Sequence, residues 1–193
     1  LKGATIFAAG AIENVLTSEN IKTVFHVDAI VRKSLVTNSL FVIPLSPQKS
    51  FVPRNCAIHI IAGAGTGTVV MKALVDEGYE VTAGVLNILD TDYETAELLK
   101  IPTVSEAPFS PITEESKRLL SEMIFKSAIV VVNSVPFGYG DLSNLETALE
   151  AAKRGIRTYV IDEVPLESRD FTAGKATALM VELRKSGAIF IKH

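Results

Sequence analysis

The chain has 193 residues, 48% hydrophobic and 21% charged, with a formal net charge of -3. That balance excludes a disordered chain, and the lack of any basic block excludes nucleic acid as a partner. A single cysteine, Cys56, excludes an internal disulfide framework and a cysteine-based zinc site, and no apolar run reaches the roughly 18 residues needed to span a bilayer.

The cysteine count fits a reducing compartment, and no signal-peptide pattern is present. Opening on Leu1 and not on methionine, the chain reads as a piece of a longer protein with part of its function upstream. Residues 1–45 form a short head. In it, residues 2–8 read as a small hairpin, 17–25 as a short helix, and 27–33 with 40–43 as a strand pair. So small a head is marginal alone and is expected to pack on something else. Residues 46–55, polar and carrying Pro47 and Pro53, read as a linker.

From residue 56 to 193 the rhythm becomes strand, helix, strand, helix. Residues 57–62 read as a buried strand. The helix after it is expected to place Val69, Val70, Ala73 and Leu74 on one face and to stop at Gly78. Residues 81–86 are the second strand, and Thr91 with Glu94 has the capping-box spacing of a helix start. Residues 102–107 are a weaker third strand, 114–126 a helix, and 128–132 the clearest strand of the chain. Ser143 and Glu146 repeat the capping-box spacing, and Leu145, Ala148, Leu149 and Ala152 make that helix's apolar face, with Gly155 as its stop. Residues 157–161 are a fifth strand, 172–185 the last helix and 188–191 a sixth strand. Near-continuous apolar strands alternating with amphipathic helices mean an α/β fold, a doubly wound Rossmann-like parallel sheet behind a small N-terminal α+β head.

In such a sheet ligands bind at the carboxyl ends of the strands, so the loops there are the candidate site. After the first strand comes Gly63-Ala64-Gly65-Thr66-Gly67-Thr68, whose backbone amides have two readings: an anion or nucleotide cradle, or a tight turn for helix–sheet packing. Thr68 stands where the usual dinucleotide fingerprint has its third glycine, and no lysine follows, so the loop is not a Walker A motif. After the second strand, Asn87 and Asp90 face the same edge; Asp90 is late for a ribose-binding acid and reads better as a helix cap with Thr91. After the fourth strand, Asn133, Ser134, Pro136, Phe137, Gly138 and Tyr139 make a long shaped loop on which Phe137 or Tyr139 is placed to stack on a flat ligand. The acidic loop 162–170, with Glu163, Glu167 and Arg169, reads as a solvated face. His26, His59 and His193 do not cluster, and no catalytic triad or metal-ligand spacing is found.

The head also resembles a known family. Residues 1–10 (LKGATIFAAG), 13–21 (ENVLTSENI), 24–28 (VFHVD) and 41–44 (FVIP) resemble, in order, the carboxyl-terminal tail of ABC-transporter ATP-binding proteins that serve importers of iron-siderophore complexes, haem and cobalamin. Residues 84–87, 107–112, 135–138 and 169–174 are similar to the carboxyl extension of some archaeal members. The Walker A, signature, Walker B and switch-histidine motifs are absent from the chain, so no ATP-site residue carries over. The resemblance implies a cytoplasmic protein at the inner face of the membrane, attached to an upstream ATPase domain and the importer's membrane subunits. A homodimer is expected. The resemblance leaves the ligand open between a nucleotide and a corrinoid. On this reading the second domain is a regulatory small-molecule-binding domain. The alternatives are a nucleotide- or dinucleotide-dependent enzyme acting on the imported chelate and a purely structural dimerisation domain.

Overall fold

A computed structural model describes residues 5–33, 39–45, 54–108 and 110–192. Outside them lie residue 1, residues 2–4 of the expected hairpin, residues 34–38, residues 46–53 of the expected linker, Phe109 and His193. The chain divides into two compact units, Leu1–Ser50 and Phe51–His193.

In the first unit, a short helix α1 (Ile12–Val15) that sequence patterning did not indicate precedes α2 (Ser18–Phe25). The hydroxyl of Thr17 accepts from Asn20 N and so caps α2, and the Asn20 side chain donates to Val15 O at 2.8 Å, joining the two helices. The strands β1 (Ala29–Lys33) and β2 (Leu40–Pro44) pair antiparallel, as expected. Residues 6–8, placed in the expected hairpin, are irregular.

The second unit is built on six parallel strands: β3 (Arg54–Ile61), β4 (Tyr79–Asn87), β5 (Thr103–Glu106), β6 (Ile129–Val132), β7 (Arg157–Ile161) and β8 (Ile189–Ile191). Their order, β5-β4-β3-β6-β7-β8, is the doubly wound order, and the chain reverses direction across the sheet between β3 and β6. Arg54 and Asn55, expected in the linker, belong to β3, where Arg54 lies against Tyr79 and pairs with Glu77. The helices α3 (Thr68–Asp76) and α4 (Thr91–Leu99) cover one face of the sheet, with Met71 and Ala96 meeting Ile58, Ile60 and Ala83. The helices α5 (Glu114–Lys126), α6 (Leu142–Lys153) and α7 (Lys175–Lys185) cover the other, where Leu120, Ile124, Leu145, Ala148 and Leu183 surround Ile61, Val130 and Val132.

Several local expectations change. The buried stripe of α3 is centred on Met71, with Val70, Leu74 and Val75 beside it, while Val69 is 77% exposed. Asp90, not Thr91, caps α4, because its carboxylate reaches Asp92 N at 2.9 Å. The Ser143–Glu146 capping box does not form: a turn over Tyr139–Asp141 leads directly into α6, and Asp141 accepts instead from Gly138 N. α7 starts at Lys175 and not at residue 172, after Gly174 at φ +87°. Thr172 and Asp170 then supply its missing cap, accepting from Ala176 N and Thr177 N.

The irregularity that matters most lies in β4. From Ala83 to Leu86 this strand takes three steps while β5 takes two, from Thr103 to Ser105, so β4 carries one extra residue. The side-chain phase slips with it: Val81, Ala83 and Leu86 face α3 and α4, whereas Val85 faces the opposite core. Gly84 sits at φ +149°, and a Cβ there would lie 2.9 Å from Val104 O, so only glycine fits. Two buried polar side chains hold this bulge. His59 of β3 lies 3.3 Å from Gly84 O through Nε2 and 2.8 Å from the Thr82 hydroxyl through Nδ1. Asn144 of α6 accepts from Val85 N at 3.0 Å and donates to Val85 O at 3.2 Å.

Burial pushes the His59 pKa down to about 4, so the ring is neutral at physiological pH; it then donates from Nε2 to Gly84 O and accepts from Thr82 at Nδ1. A histidine kept neutral by the fold contributes stability that is full above its unfolded value near 6.5 and is lost as pH falls toward 4. Denaturant unfolding of the chain and of His59→Gln at pH 7 and pH 4 is expected to show about 3 kcal/mol more acid-induced loss in the parent. Equal losses in both would mean that His59 is not neutral in the fold.

Candidate functional site

The carboxyl edge of the sheet is shaped by two loops that close on themselves and one that leaves a space. The glycine-rich loop after β3 closes first. Gly67 presses against the strand so tightly that a Cβ would fall 2.4 Å from Ala62 Cβ. Its amides are spent within the chain: Ala64 N and Gly65 N donate to the Asp90 carboxylate at 2.7 and 3.2 Å, and Gly67 N donates to Asp92 Oδ1 at 3.0 Å. The Thr68 hydroxyl adds a second bond to Asp92 Oδ1, while the Thr66 hydroxyl donates to Gly63 O. The donors that would hold an entering anion therefore hold two carboxylates. Asp92 itself is fully buried, and its Oδ2 has no hydrogen-bond partner among the described residues. Burial first, and the charge of Asp90 second, raise its pKa against the pull of the Gly67 amide.

The loop after β6 closes around core groups. Asn133 is buried and spends its side-chain amide on Ile61 O at 3.2 Å, tying the ends of β3 and β6 together at the switch point. Phe137 is fully buried, with its backbone bonded to Arg169 O and Phe171 N, so its ring is core and does not face a ligand. Pro136 beside it is half-buried. Arg169, expected on a solvated face, is also buried. It donates to Val135 O at 3.0 Å and Val164 O at 3.1 Å and pairs with Asp162, and this bracing fixes the loop. Beyond this point the chain opens: Tyr139 is 59% exposed, and Lys175 Nζ lies 5.3 Å from its ring centroid.

The space lies between the bulge of β4, the segment after β5 and the loop after β6. A crevice of about 470 Å³ is lined by Val85 and Asn87 at the end of β4, by Ser110, Pro111 and Ile112 after β5, and by Tyr139, Gly140 and Asp141 after β6. It is of ligand-pocket size and lies at the edge where doubly wound sheets bind ligands. Asp141 is fixed by Gly138 N at 2.9 Å; burial, with a contribution from the Asp90 charge, raises its pKa. Of the residues nominated from sequence, Asn87 lines the crevice and Gly138 borders it through Asp141. Gly63, Gly65, Thr66, Gly67, Thr68 and Asp90 form the neighbouring closed loop. Sequence reading missed Asp92, Ser110, Asp141 and Asn144. A signal existed for two of them, since Asp92 precedes buried Ala96 by four residues and Asn144 precedes buried Ala148 by four.

A second cavity of about 460 Å³ lies between α7, β8 and the loop after β7, lined by residues such as Glu167, Thr177, Arg184 and Lys192. It is away from the switch point. Among the described residues no group of three or more His, Cys, Asp or Glu is arranged to hold a metal ion, and no helix is long and apolar enough to cross a membrane.

Residues 81–193 match the MJ0874 family. The chain is also similar to the cobalamin import ATP-binding proteins BtuD of two strains of Halobacterium salinarum, 28% identical to each over 157 residues. The match covers 81% of this chain and 36% of each relative, so the chain spans about a third of their length.

The Val85 wall of the crevice depends on Asn144. Asn144→Ala would leave Val85 N–H and C=O buried without partners and is expected to cost about 3 kcal/mol of stability by denaturant unfolding. A loss under 1 kcal/mol would mean that the bulge is held by its own backbone.

Proposed function

The chain belongs to the MJ0874 family, and from that premise we propose that it is the carboxyl-terminal accessory part of an ABC-importer ATP-binding protein. In this reading a small molecule seated at the carboxyl edge of the sheet biases an attached ATPase motor. The observation that carries it is the crevice lined by Asn87, Tyr139 and Asp141 at the ligand-binding edge of a doubly wound sheet.

The similarity to cobalamin import ATP-binding proteins supports the importer context and makes a corrinoid or related metal chelate the first ligand class to test. The first unit supports an upstream partner. Its exposed side chains include Ile6, Ile12, Phe25 and Phe41, an apolar surface that calls for cover. In the whole protein the chain would then work at the inner face of the membrane beside the importer's membrane subunits. A ligand acts on the motor only through different affinities for the motor's two states, so the crevice must change between them.

The enzyme alternative loses support from the glycine-rich loop, whose amides are bound to Asp90 and Asp92. One observation favours a dimerisation role instead: Ile189 and Ile191 of edge strand β8 and Val181 of α7 are each more than 40% exposed.

Thermal unfolding against a corrinoid, haem, ferric chelates, ATP, ADP and NAD separates these readings. A ligand at 100 times its Kd adds about 2.7 kcal/mol, roughly 5–10 °C in Tm for a chain of this size. The proposal expects that shift with a corrinoid or chelate. A shift with NAD alone would favour the enzyme, and no shift with any of them the dimerisation domain.

A further inference from the structure

We infer that the crevice accepts a flat ligand presenting a neutral or positively charged hydrogen-bond donor, such as an amide, amine or amidinium, and disfavours phosphate and carboxylate groups. The inference rests on the reading of the crevice as the ligand site and concerns the chemistry of what enters it.

Three features point this way. First, the polar lining consists of acceptors and neutral groups: the Asp141 carboxyl, the Asn87 amide, the Ser110 hydroxyl and the Tyr139 phenol. Among the described residues, no lysine, arginine or histidine lines the crevice. Second, Lys175 Nζ, the cation nearest the lining, sits against the Tyr139 ring at 5.3 Å from its centroid, and the other donors and cations close by are engaged elsewhere. Ala64 N, Gly65 N and Gly67 N hold Asp90 and Asp92, and the buried guanidinium of Arg169 is bound to Val135 O, Val164 O and Asp162. Third, Asp90 brings a negative charge close to the crevice. The charge of Asp90 acts on both Asp92 and Asp141, raising each pKa, and an entering phosphate would meet the same repulsion.

The apolar part of the lining sets the shape. Val85, Pro111 and Ile112 line the crevice together with the largely exposed Tyr139, whose ring offers an aromatic face to a planar body. The donor of the ligand would then face Asp141, whose carboxyl is oriented by the Gly138 amide. Asn87, with one donor and one acceptor group, serves a neutral amide equally well.

Benzamidine, benzamide and benzoate share one planar ring and differ in the charge of the attached group, so they test the inference directly. Each is titrated into the isotope-labelled 193-residue chain near pH 7.5, following the backbone amides of Val85, Asn87 and Gly140 by NMR. Benzamidine and benzamide are expected to shift these resonances with Kd values at least tenfold below that of benzoate. Asp141→Asn is expected to erase the advantage of benzamidine over benzamide. Asn87→Asp, at an exposed position outside the core, is expected to tighten benzamidine threefold or more. Benzoate binding as tightly as benzamidine at these amides would overturn the ligand class and leave the site standing. If none of the three shifts these amides, the crevice is not the ligand site, and both readings fall.

Discussion

The carboxyl edge depends on how β4 passes Gly84 and Val85. A strand buried on both faces must satisfy every backbone group, and an extra residue on one strand breaks the ladder that would do so. Here the open groups are taken up from both sides, by a neutral His59 on the neighbouring strand and by Asn144 on a helix of the opposite layer. These bonds let β4 shift its side-chain phase without leaving the sheet. The shift turns Val85 toward the α5–α7 side and puts it in the wall of the crevice. A regular β4 would instead have kept its alternation to the end of the strand.

A second constraint follows from the carboxylates after β4. In a doubly wound sheet the first glycine-rich loop and the positive end of the following helix are the natural seat for an anion. This chain fills that seat from within, through Asp90 on Ala64 and Gly65 and Asp92 on Gly67. The loop thereby becomes a joint between α3 and α4, and the ligand-sized space lies to one side of it. Asp90 also carries its negative charge toward Asp141, which links the architecture of the loop to the chemistry of the neighbouring crevice.

Much of the fold was legible because its signals are local. Apolar runs gave the strands, with β7 matching residue for residue, and the 3.6-residue spacing of Leu145, Ala148, Leu149 and Ala152 gave the buried face of α6. Gly78 and Gly155, both at positive φ, marked helix ends. The site was less legible because its decisive contacts are distant in sequence: Asn144 meets Val85 across 59 residues, and Asp92 meets Gly67 across 25. Residue type also misled where burial was decided by tertiary packing. Phe137 looked available on a glycine-rich loop but fills the core, and Arg169 looked solvated but braces that loop from inside. Conversely, Asp90 was correctly read as a cap, since that role needs only its own helix start.

The central claim is that the space beside the β4 bulge receives the ligand that acts on an attached motor. Hydrogen–deuterium exchange on the protein with its ATPase domain, with and without a saturating corrinoid, tests it most directly. The account predicts slowed exchange confined to residues 84–88, 110–113 and 138–142, accompanied by a changed ATPase rate. Protection centred on residues 63–68, or protection of the crevice with an unchanged ATPase rate, would contradict it.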